Sequence, residues 1–153
     1  YDDVIMHLDT LSQVQNKIGA EAKYMLAKTY YLKGEFGKSD TVIYRLVNQV
    51  PSFPYWIAKG FILLADNFIA IEDFYNAKVT FQSVIDNADN QELIDIAKEK
   101  LRLLNESEQN TNDEIEDSIE IEFDSENKNE EKLFELDSVQ TNPKKGKEVK
   151  NEN

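Results

Sequence analysis

The 153-residue sequence contains no cysteine, which excludes disulfides, thiolate zinc sites and cysteine nucleophiles. It contains a single histidine, His7. With no second histidine and no thiol to join it, a metal site or a histidine base has no support, and a surface or inter-repeat position is expected. Long apolar runs are missing too. The longest, Phe61 to Ala65, is flanked by Lys59 and Asp66, far short of the roughly 20 residues that cross a bilayer. There is no glycine-rich phosphate loop, and the acidic run from Asp86 to Glu92 lacks the glycine turn and ligand spacing of a calcium loop. The carboxylates of Asp66, Glu72 and Asp73 have no evident buried partner that would raise a pKa for acid or base catalysis. These absences argue against an enzyme, a cofactor or metal site and a small-molecule substrate. Lysine and arginine are not clustered except at Pro143-Lys144-Lys145-Gly146-Lys147, and the formal net charge is −13, so nucleic acid is not an expected partner either.

What is present divides into two regimes. Residues 1–104 hold 14 acidic and 11 basic side chains, a net of −3, whereas residues 105–153 hold 16 and 6, a net of −10. The first part has the balance of a folded domain and the second that of an acidic, low-complexity tail expected to be disordered. The chain opens Tyr1-Asp2-Asp3 with no basic n-region and apolar h-region behind it, so no signal peptide is read and a fragment or processed form is expected.

Sliding the sequence by 38 residues without gaps aligns Leu26-Ala27 with Leu64-Ala65, Tyr30 with Phe68, and Glu35-Phe36 with Asp73-Phe74. The same shift aligns Ser39 with Ala77, Ile43 with Phe81 and Leu46 with Val84. Apolar positions recur at three and four residues, the helical period, and a short polar break splits each copy at Lys33-Gly34-Glu35 and Ile71-Glu72-Asp73. Each copy therefore reads as a helical hairpin. Small residues at Ala27, Ser39, Ala65 and Ala77 allow two antiparallel helices to approach to the near end of the roughly 8–10 Å range.

The pattern Leu26-Ala27-x2-Tyr30, Ser39-x3-Ile43, Pro51, and its second copy Phe61-x2-Leu64-Ala65-x2-Phe68, Ala77-x3-Phe81, resembles the tetratricopeptide repeat (TPR). Lys23 occupies the aromatic slot of copy one, with Tyr24 beside it, and Asp89 stands where the second closing proline would fall. The offset of 38 exceeds the family's usual 34 by about one helical turn, placed at residues 50–54 and in a longer helix after them. Repeats stretched in this way resemble those of large bacterial envelope proteins. That likeness leaves the compartment open while inclining toward a bacterial periplasm or cell envelope.

The resemblance implies an all-α fold of antiparallel hairpins stacked as a right-handed solenoid. A half repeat is expected at 1–17, repeats at 20–51 and 54–88, a capping helix at 90–104 opened by an Asp89-x-x-Glu92 capping box, and the acidic tail at 105–153. It further implies a protein or peptide partner held on the concave face, formed by Glu21, Tyr24, Lys28 and Tyr31 of copy one and Lys59, Ile62, Asp66 and Ile69 of copy two. Packing of Tyr24 and Ile62 against the neighbouring repeat is an equal alternative, and Trp56 reads as an anchor for the long linker. A structural spacer or end cap of a longer array is the competing function, and an accessory role to an upstream catalytic domain the outside one. In the tail, Ile119, Ile121 and Phe123, then Leu133 and Phe134, interrupt the acidic residues in short apolar clusters that read as docking motifs, the alternative being a solvating tail with chance apolar residues.

Overall fold

The computed structural model describes residues 1–110, and every regular element among them is an α-helix. The helices are α1 (Asp2–Ser12), α2 (Lys17–Leu32), α3 (Phe36–Val47), α4 (Pro54–Ala70) and α5 (Phe74–Asn87), followed by α6 over residues 91–110. Helix α2 packs against α1, α3 and α4, and α4 packs against α3 and α5. The pair α2 and α3 is antiparallel. Lys23 near the start of α2 meets Gln49 just past the end of α3, and Tyr31 near the end of α2 meets Phe36 at the start of α3.

Residues 38 apart occupy equivalent burial environments. Ala27 and Ala65 are fully buried, as are Ser39 and Ala77, Ile43 and Phe81, with Leu26, Leu64, Leu46 and Val84 close behind. Leu26, Ile43, Leu63 and Leu64 centre one apolar cluster across α2, α3 and α4, which Ile5 and Leu8 of α1 cover. Ile62, Phe81, Leu93 and Ala97 centre a second across α4, α5 and α6. A Cβ added at Gly60 would lie 3.3 Å from Leu46 Cδ2 and 3.4 Å from Ile43 Cγ2, so the approach of α3 to α4 is set by the small residue between them.

The hairpin turns repeat as well. In the first, Tyr30 O accepts from Glu35 N at 2.9 Å and Tyr31 O from Gly34 N at 2.9 Å; in the second, Phe68 O accepts from Asp73 N at 2.8 Å and Ile69 O from Glu72 N at 3.0 Å. Both are Schellman motifs with a left-handed residue just beyond the helix, Gly34 at φ 74° and Glu72 at φ 62°.

Two boundaries differ from expectation. The cap of α6 is Asn90, whose Oδ1 accepts from Leu93 N at 3.1 Å, not Asp89; the residue three before the first inward leucine is the one that reaches its N–H. Helix α6 also passes the expected end at residue 104 and continues through 110. No proline or glycine stops it, Arg102 pairs with Glu99 and Glu106, and Ser107 Oγ donates to Leu104 O. The tail positions Ile119, Ile121, Phe123, Leu133 and Phe134 lie outside the described residues.

Candidate functional site

Helices α2, α4 and α6 enclose a groove of about 230 Å³. Six of the eight residues expected on the binding face line it: Tyr24, Lys28 and Tyr31 from α2, and Lys59, Ile62 and Asp66 from α4. Spacings of three and four residues place each trio on one side of its helix. Glu21 and Ile69 do not line it. Glu21 is exposed one turn before Tyr24, and Ile69 packs against the cluster formed with α5 and α6. The two alternatives for Tyr24 and Ile62 coexist, because each packs against a neighbouring element and also borders the groove. Tyr24 is half-buried against the α2, α3 and α4 cluster, and Ile62 is 8 % exposed beside Leu93.

One end of the groove is aromatic. The Tyr24 and Trp56 rings are 5.6 Å apart, and Tyr55 meets Trp56 edge-on at 5.2 Å. Lys59 Nζ sits 4.6 Å from the Tyr24 centroid, 5.1 Å from Trp56 and 5.5 Å from Tyr55. Three ring faces thus hold one ammonium group by cation–π attraction. Trp56, half-buried near the start of α4, is the platform that orients Lys59.

The opposite end is ionic. Asp66 accepts from Lys100 Nζ of α6 at 2.8 and 3.1 Å. Asp66 therefore has the partner that the sequence does not reveal. Burial pushes its carboxyl above the ordinary value, and the Lys100 bond opposes that shift only in part. Burial raises the Tyr24 phenol as well, with Asp66 and Tyr55 adding to the effect. Leu93 and Ile96 of α6 supply apolar wall between the two ends. Lys28, Lys59 and Lys100 thus surround an apolar strip with one carboxylate among them.

Neither Lys100 nor the role of Trp56 was legible beforehand. Lys100 is 34 residues from its partner, a separation at which no local periodicity reports contact, and an aromatic residue just after a proline-bounded linker reads first as an anchor for that linker. His7 lies apart from the groove on α1, exposed, its Nδ1 donating to Asp3 O at 2.6 Å. Among the described residues no group of histidine and carboxylate side chains is arranged to hold a metal ion, and no helix is long and apolar enough to cross a membrane. No family model, curated protein or solved structure gives a significant match to the chain.

Proposed function

We propose that the protein is a non-catalytic, TPR-like scaffold that holds a segment of a partner protein in the groove between α2, α4 and α6. The observation that supports this reading is the single groove lined by Tyr24, Lys28, Tyr31, Lys59, Ile62 and Asp66, together with hairpin turns that repeat hydrogen bond for hydrogen bond at an offset of 38. In that reading the hairpins stack as a right-handed solenoid and α6 closes the array. The groove's chemistry selects the segment. An apolar strip bordered by three lysines complements a peptide that alternates apolar and acidic side chains, and the lysines steer its approach.

Selection of peptides from a random library against the full-length protein tests this. Binders enriched in alternating apolar and acidic residues, weakened by Tyr31→Ala and by Lys59→Ala in folded protein, are the expected outcome. Failure to enrich any sequence, or enrichment that both substitutions leave intact, would remove the groove from consideration.

A second reading, a spacer within a longer array, is favoured by one feature of α1. Val4, Met6 and Leu11 on α1, and Val14 after it, are exposed apolar side chains, the kind of surface that a further helix of an array covers.

A further inference from the structure

A second concavity lies away from the groove, between the α1–α2 connection and the C-terminal end of α3. It has a volume of about 670 Å³ and its lining includes Ser12, Gln13, Lys23, Arg45, Asn48 and Gln49, with no aspartate or glutamate among the lining residues. Lys23 is 3 % exposed and Gln49 5 %. Lys23 Nζ donates to Gln49 Oε1 at 2.8 Å, and Gln49 Nε2 donates to Asn16 O at 3.2 Å. A lysine ammonium carries three N–H donors, and among the described residues this bond to Gln49 is the one found for Lys23. Burial pushes the Lys23 amine below its ordinary value, and the Arg45 guanidinium pushes it further the same way. Arg45 in turn bonds Ser12 Oγ at 3.2 Å and stands 3.6 Å from Asp9, a carboxylate outside the cleft.

A buried amine with a neutral partner and a second cation beside it is an arrangement that an entering anion would stabilise in its charged form. Around the two charges stand the primary amides of Gln13, Gln15 and Asn48, side chains that both donate and accept. Such a lining matches hydroxyl groups on the anion's own framework. We propose that this cleft is a binding site for a small hydroxylated organic anion, such as a sugar acid or sugar phosphate. Its carboxylate or phosphate lies between Lys23 and Arg45, and its hydroxyls meet the amides of Gln13 and Asn48. The site is independent of the peptide groove, and either can stand without the other.

Titrating the full-length protein with glucuronate, glucose 6-phosphate, inorganic phosphate and glucose, followed through backbone amide resonances, tests the proposal. The two acids are expected to shift Ser12, Asn48 and Gln49 and to bind about tenfold or more tighter than glucose or inorganic phosphate. Whichever acid binds more tightly identifies the anionic group the site prefers. Lys23→Gln and Arg45→Gln should each weaken binding by about tenfold or more. If Lys23→Gln does not fold, Arg45→Gln carries the test, because that side chain is already 39 % exposed. Absence of shifts with both acids, equal binding of glucose, equal binding of inorganic phosphate, or unchanged affinity in Arg45→Gln would each overturn the proposal.

Discussion

Two residues at equivalent turn positions make opposite choices. Gly34 adopts φ 74° without a side chain to strain, while Glu72 holds φ 62° with one. A left-handed conformation costs a non-glycine residue about 1–2 kcal/mol. Glu72→Gly is therefore expected to raise stability by about 1 kcal/mol, and Gly34→Ala to lower it by a similar amount, both read from urea midpoints. A lower midpoint for Glu72→Gly would show that the Schellman geometry is not what limits this turn. Gly19 makes a different demand. A Cβ there would stand 1.7 Å from the backbone oxygen of Val14, and backbone cannot rotate aside as a side chain can. Gly19→Ala should cost about 3 kcal/mol, the upper end of overpacking penalties, and a thermal midpoint equal to that of the parent protein would contradict the tight α1–α2 turn. Gly34 was legible in the sequence because it breaks a helical period. Gly19 was not, since a glycine within the first turn of a helix carries no mark of the carbonyl facing it.

At the scale of elements, the 38-residue offset predicted which faces of α2 to α5 turn inward, because apolar residues at helical spacing report burial directly. The end of α6 was harder to see. Residues 105–110 read as the start of an acidic tail by composition, yet ion pairs along the helix carry it onward. Asp66 and Lys100 join α4 to α6, and the pair gives that contact a pH signature. Asp66 is raised above 3.8, principally by burial. Between the unfolded value and the higher folded one, the native state binds more protons than the unfolded state. Stability contributed through this group therefore falls as pH rises across that window. Compared with Asp66→Asn, the parent protein should lose stability as pH rises from about 3.8 through the higher folded value. Denaturant midpoints of the two proteins that run parallel over this interval would contradict the burial of Asp66 against α6.

For the whole molecule, the division of labour follows from where charge and apolar surface fall. The α2, α4 and α6 side combines an apolar strip with Lys28, Lys59 and Lys100, while the α1 and α3 side holds the polar cleft around Lys23 and Arg45. Helical spacing of three and four residues marks the first side in the sequence, whereas a lysine in an apolar slot gives no sign of what it meets on the second. Lys23 and Gln49 are 26 residues apart, and only the antiparallel return of α3 joins them. We propose that the groove is the site at which a partner segment binds. It is tested most directly by adding an alternating apolar and acidic peptide to the isotopically labelled full-length protein and mapping the resonances that move. Shifts concentrated at Tyr31, Lys59, Ile62, Asp66 and Lys100, and lost in Lys59→Ala, are the predicted result; saturable binding whose shifts fall elsewhere and leave these five residues unmoved would contradict it.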